Sequence, residues 1–234
     1  MTKKPAYDDI VANLRGKMWI YLVITFAAFA VVFNFAPEII DWIAERLLPS
    51  DATLIYLSPA EFFLLKIRLS GYSAISLIFL IAIIQIWHTV RARSLLPDMG
   101  VGKLFGILSI SIILFLLGAT YSLELMLPTV LEYLQNDAAS AGLETTYSLS
   151  AFYHFVFLLT FSLGITFQLP LIVMLMLKLE LTTVDKLAEY RSHLVVVFFI
   201  LAAMITPPDV ISQFLLAIPL MILYELSIIV GKFS

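Results

Sequence analysis

Three polar side chains sit inside long apolar stretches of this 234-residue chain: Glu124 in LGATYSLELMLP, Gln168 in FSLGITFQLPLIV and Glu225 in AIPLMILYEL. A carboxylate at the centre of a bilayer costs ~2.5–3.5 kcal/mol even on a mild insertion scale, so such groups face protein or a water-filled cavity. Glu124 and Gln168 are the residues a proton- or ion-coupled small-molecule transporter would place along its path. Each also has a plainer reading. Glu124 lies about a turn from Pro128 and can reach the interface, Gln168 can bond one helix to another, and Glu225 can snorkel to the surface. Pro170, just after Gln168, frees a backbone carbonyl and bends its helix.

Catalytic signatures are absent. The chain has no H-E-x-x-H, no G-x-S-x-G, no P-loop and no G-x-G-x-x-G. His88 and His154 fall at the ends of apolar blocks without metal-ligand spacing. Glu225 and Asp209, the nearest acid pair, are about four turns apart on one helix. The eight methionines are scattered and read as packing. The residues therefore point away from an enzyme, a metal and a cofactor.

The elements that position these groups are membrane helices. The chain is 62% hydrophobic and 13% charged, with a mean hydropathy of +1.02. A soluble domain of this size carries about twice that charged fraction. The apolar blocks are long and unbroken, which excludes an outer-membrane barrel, and the expected fold is a single all-α integral membrane domain over 1–234. A net charge of −3 argues against nucleic acid, and the lack of cysteine excludes disulfides and zinc ribbons. Residues 17–30, KMWIYLVITFAAFA, have the flank and Ala-x-Ala of a cleavable leader. The apolar run continues to Phe35, so it is expected to stay as a first span.

Six spans are expected, at about 17–36, 70–90, 104–127, 151–177, 194–206 and 211–230. With the N-terminus inside, eleven Lys/Arg fall on inner segments (Lys3, Lys4, Arg15, Lys17, Arg91, Arg93, Lys103, Lys178, Lys186, Arg191, Lys232) and only Arg46, Lys66 and Arg68 on outer ones. That bias places both termini in the cytoplasm. In the first outer loop, PEIIDWIAERLL aligns Ile39, Ile40, Ile43 and Leu47 as a short amphipathic helix expected to lie at the interface. LSPAEFF then starts a helix, with Ser58 as N-cap, Pro59 at the first helical position and Glu61 closing a capping box. That helix can run to about Val90. The 127–151 segment reads as an outer loop. The fifth block, Leu194 to Thr206, is the anomaly: 13 residues reach about 20 Å, against ~30 Å of hydrocarbon.

TPPDVISQFLLAIPLMILYEL strongly resembles the end of the TatC family, the multi-spanning subunit of the twin-arginine protein translocase. LSPAEFF and KIRLSGYSAISLIFLIAIIQIW, LGATYSLELMLP, FSLGITFQLPLIVMLM and LTTVDKLAEYRSHLVVVFFILAAMITPPDV resemble successive parts of the same family, covering roughly 45–230 in order. The resemblance implies a concave, glove-like bundle in the cytoplasmic membrane, with short fifth and sixth helices thought to thin the bilayer. It implies a receptor for twin-arginine signal peptides of folded cargo, driven by the proton-motive force. Single-span TatA/TatB-type partners would dock beside the last two helices, around Thr206, Pro207, Pro208, Asp209 and Gln213, and self-association is expected.

The chain also departs from the family pattern. The usual His-x-x-Glu-Leu-Arg before the first span is here DDIVANLRGKM, which keeps Leu14 and Arg15 but has Ile10 and Asn13 at the His and Glu positions. The glutamate of the loop between helices two and three is replaced by Asp98, and the frequent glutamate of helix four is Gln168. Arginine pairs are best read by carboxylates, so Asp98, together with Asp8 or Asp9, is the expected reader. The alternative is a divergent homologue with weakened signal-peptide binding.

Overall fold

A computed structural model of the chain describes residues 16, 18–49, 52–92, 101–142, 146–206 and 209–233. Within these, the chain is an all-α integral membrane protein with one small strand pair. Helix α1 spans Met18–Leu47, strand β1 Thr53–Ile55 and helix α2 Glu61–Ala92. Helix α3, Val101–Tyr121, passes through a π-turn at Ser122–Met126 into α4, Leu127–Ser140. Strand β2 is Thr146–Ser148. Then come α5, Leu149–Thr166, α6, Leu169–Lys178, and the short α7, Val184–Glu189. Helices α8, Arg191–Ile205, and α9, Val210–Lys232, complete the bundle. Among the described residues, five continuous helical stretches are long and apolar enough to cross a membrane, and α8, with 15 residues, is shorter.

Two expectations about the loops are corrected. The amphipathic stretch after Pro37 is no separate interfacial helix, because α1 runs through Pro37 without a break. Its stripe of Ala36, Ile40, Ile43 and Leu47 is buried in the protein core rather than laid on lipid. Tyr153 on α5 fixes it there, its hydroxyl donating to the Ile40 carbonyl at 2.7 Å. Nor is 127–140 a loop. Pro128 sits in the first turn of α4, directly after the π-turn. The helix is widened just before it, where the Leu127 N–H reaches back five residues to the Ser122 carbonyl.

The second helix starts close to where the cap signals put it. Glu61 is the first helical residue, and its carboxylate accepts from the Leu57 N–H at 3.1 Å, one residue before the expected Ser58. Strands β1 and β2 pair in parallel, Thr53 with Thr146 and Ile55 with Ser148, tying the two connections at this end of the bundle together. The fourth apolar block bends at Phe167–Gln168, between α5 and α6, as Pro170 requires.

Helices α3 and α5 touch backbone to backbone. A Cβ on Gly118 would lie 2.6 Å from the Leu163 carbonyl oxygen, and one on Gly164 would lie 2.6 Å from the Phe115 ring. Small residues at such a crossing let van der Waals packing hold two lipid-solvated helices together.

Candidate functional site

The structure provides Glu124, Gln168 and Glu225 each with a partner on another helix. Gln168 is 0% exposed. The Ser111 hydroxyl on α3 donates to its Oε1 at 2.8 Å, and its Nε2 donates to the Ser111 carbonyl at 2.9 Å. The side chain thus closes a two-bond ring from the α5–α6 bend, where helical bonding is interrupted, to α3. Glu124, in the π-turn, accepts with both carboxylate oxygens from one terminal guanidinium nitrogen of Arg46, near the end of α1. The Arg46 guanidinium also lies over the Trp42 ring, 5.5 Å from its centre. Ser111 and Glu124 are 13 residues apart on one helical path, about 20 Å at ~1.5 Å per residue. Gln168 and Glu124 are therefore not brought together. They are engaged in separate places, and a transporter path through both finds no support.

Glu225 is also paired. It accepts from Arg191 in two bonds, one of them 2.9 Å from Nε, joining the start of α8 to the last turns of α9. Both side chains are about half exposed. Together with Val195, Phe198, Met221, Ile222 and Tyr224 they line an open cavity of about 300 Å³ on the α8–α9 face. Tyr224 donates to the Leu187 carbonyl at 2.7 Å, serving an orphan acceptor near the end of α7. A further tyrosine holds α9 from the opposite side. Pro219 cannot serve the Leu215 carbonyl, and the Tyr121 hydroxyl on α3 donates to it instead, at 2.8 Å.

The residues expected at the α8–α9 turn divide by role. Thr206 is buried and ends α8, its N–H and hydroxyl both donating to the Ala202 carbonyl at 2.9 Å. Asp209 is the N-cap of α9, accepting from the Ser212 N–H at 2.7 Å and from the Ser212 hydroxyl at 2.6 Å. Gln213 is half-buried, beside the exposed Val210, Ile211 and Phe214. Asp209→Ala is expected to weaken the start of α9 by about 1 kcal/mol. Amide hydrogen exchange at 210–213 should then speed up by roughly fivefold, with α8 unchanged. Leu14, Arg15, Asp8, Asp9, Ile10, Asn13, Asp98, Pro207 and Pro208 lie outside the described residues.

Sequence reasoning did not find Arg46, Ser111, Tyr121, Arg191 or Tyr224 as partners. Pro219 is the one local signal that could have pointed to an orphan carbonyl, at Leu215. Its donor comes from 94 residues away, and no local pattern announces it.

Comparison with known proteins covers nearly the whole chain. Residues 9–219 match the family of the Sec-independent protein translocase protein (TatC). TatC of Aquifex aeolicus strain VF5 is 32% identical over 235 residues, 95% of this chain and 92% of that one. TatCd of Bacillus subtilis strain 168 is 30% identical, covering 94% of this chain and 89% of that one. A crystal structure of the twin-arginine translocase receptor TatC in DDM superposes with a TM-score of 0.83 at 30% identity, over 95% of this chain and 99% of that chain. A second crystal structure of that receptor gives 0.80 at 28%, over 96% and 98%. The chain belongs to the TatC family of Sec-independent protein translocase proteins.

Proposed function

We propose that this protein is the core receptor subunit of a twin-arginine translocase. In this reading it binds twin-arginine signal peptides at the cytoplasmic face and gathers single-span TatA/TatB-type partners to export folded proteins with the proton-motive force. The carrying observation is the end-to-end likeness to TatC, in sequence and in fold.

The proposed topology has six spans with both termini inside. Arg46, Lys66 and Arg68 belong to the end of the bundle that holds β1 and β2, whereas Lys178, Lys186, Arg191 and Lys232 belong to the other end. That segregation supports the orientation. Helix α8, at about 22 Å by ~1.5 Å per residue, is too short for ~30 Å of hydrocarbon. Local thinning would result, beside an exposed apolar stripe that includes Val196, Ile200, Met204 and Phe214. A partner helix fits that stripe, with Gln213 as a polar handle at its end. Spin labels along 191–226 should report a hydrocarbon slab thinner than ordinary around this flank.

Recognition of the arginine pair is assigned to Asp98, supported by Asp9, Leu14 and Arg15. Asp98→Ala should weaken binding of an Arg-Arg signal peptide by about 1.5 kcal/mol, roughly tenfold, as expected for a charge-assisted bond. Titration of the purified protein with a fluorescent signal peptide measures this. Equal affinity of wild type and variant sinks the assignment to Asp98, and no binding by either sinks the receptor reading.

A further inference from the structure

Pro219 divides α9 into a first part, 210–218, and a last part that runs on to Lys232. A proline inside a helix leaves the carbonyl four residues back without its N–H and presses its ring against it, so the helix bends there. In a membrane bundle a neighbouring helix or a nearby hydroxyl has to serve the freed carbonyl. The hydroxyls of α9 itself are engaged elsewhere. Ser212 bonds Asp209, Ser227 bonds the Leu223 carbonyl and Tyr224 bonds the Leu187 carbonyl. The donor that reaches the Leu215 carbonyl is Tyr121, the last residue of α3, at 2.8 Å. Its ring packs beside Phe167 at the α5–α6 bend, with centres 6.1 Å apart.

The consequence is geometric. A carbonyl served by a hydroxyl of its own helix leaves the direction of the bend free, whereas one served from α3 is tied to α3. Tyr121 therefore holds α9 before Pro219, and Tyr224, bonded to Leu187 on α7, holds it after Pro219. The exposed apolar stripe of α9 crosses this bend. It runs from Ile211 and Phe214 to Ile218 and Ile222, at helical spacing. The stripe is about 16 Å long at ~1.5 Å per residue, and a partner helix laid along it touches both parts only at one setting of the bend.

We propose that Tyr121 is a positioning residue for partner docking: its hydroxyl fixes the bend at Pro219 and so sets the shape of the stripe that a single-span partner helix meets. This rests on the docking reading given above and adds to it the residue that sets the surface. Tyr121 acts through α9 and needs no contact with the partner.

The chain has no cysteine, so each introduced cysteine reports one site. Spin labels at the exposed Val210 and Val230 span about 30 Å of α9 at ~1.5 Å per residue and read the bend as a distance distribution. In parallel, Ile211→Cys is oxidised against single cysteines placed along the membrane segment of a co-expressed TatB-type partner. Tyr121→Phe keeps the ring and removes the hydroxyl. It should broaden the distribution and lower the crosslink yield by ~3-fold or more, as the loss of one ordinary hydrogen bond predicts. Pro219→Ala returns an N–H to the Leu215 carbonyl, so in that background Tyr121→Phe should change neither width nor yield. If Tyr121 only fills space, Tyr121→Phe matches wild type in both readouts. If it supports the fold at large, the distribution broadens in both backgrounds. Either result overturns the proposal, and so does a broadened distribution with an unchanged yield. Absence of crosslinks in wild type overturns the docking reading and the role built on it. A width that depends on Tyr121 only while Pro219 is present then tells that failure apart from failure of the Tyr121–Leu215 link.

Discussion

Gly118→Val is expected to destabilise the protein by about 3 kcal/mol or more. The added Cβ would sit 2.6 Å from the Leu163 oxygen and 2.9 Å from both the Leu163 carbonyl carbon and the Phe167 ring. Two of those atoms are backbone and cannot rotate away. Overpacking of a filled interior costs about 1–3 kcal/mol, and more when the backbone has to move. Gly118→Ala also meets the clash, but it recovers about 1 kcal/mol of helix propensity and should lose about 1–2 kcal/mol. Gly164→Ala is the control. The nearest atoms to its Cβ belong to the half-buried Phe115 ring, which can swing, so propensity and crowding nearly cancel. Thermal unfolding in one detergent should find Gly118→Val the most destabilised, Gly118→Ala next and Gly164→Ala the least. If Gly164→Ala proved as unstable as Gly118→Val, that would falsify the backbone-contact argument.

This contact shows where sequence reading succeeds and where it stops. The apolar blocks are local and continuous, so the helices are legible along most of their length. The stripe Ile39, Ile40, Ile43 and Leu47 is equally legible as amphipathic. The sequence has no means of saying whether such a stripe meets lipid or protein, and here Tyr153, 113 residues from Ile40, decides it. Helix α4 carries a usable signal in Leu127, Val130, Leu131 and Leu134, spaced at helical intervals, three of them buried. Pro128 obscures it, because a proline at a helix start and one at a helix end look alike. Strands β1 and β2 are three residues each and pair Thr53 with Thr146. No pattern of that length is distinguishable from a loop.

The polar residues follow the same division. Their unusual setting marks Glu124, Gln168 and Glu225 from sequence alone. What each does depends on Arg46, Ser111 and Arg191, which look ordinary in their own segments. Arg191 and Glu225 both fall near the ends of apolar blocks, yet their pairing needs the antiparallel contact of α8 with α9 to be known first. Local chemistry identifies the half of a bond that is costly to bury, and topology supplies the other half.

Gln168→Leu is the second large expected effect, a loss of about 2 kcal/mol. The residue makes two bonds to Ser111, and helix-to-helix side-chain bonds in membranes average about 0.6 kcal/mol and reach about 1.7. Full burial places this pair toward the upper value, and leucine leaves the Ser111 hydroxyl without its acceptor. Ser111→Ala removes only the bond to Oε1, because the bond from Nε2 goes to a backbone carbonyl that remains. It should therefore lose about half as much. The double variant should cost less than the sum of the two, with a coupling of about 1 kcal/mol. Gln168→Glu is informative for a different reason, since glutamate is the residue the family resemblance leads one to expect there. It keeps an acceptor for the Ser111 hydroxyl but sets a second acceptor against the Ser111 carbonyl, where the amide now donates at 2.9 Å. At neutral pH, unfolding in detergent should find Gln168→Glu at least as unstable as Gln168→Leu. Glutamine is thus the side chain that satisfies both Ser111 groups at once, and stability equal to wild type in the glutamate variant would show that the Ser111 carbonyl does not depend on it.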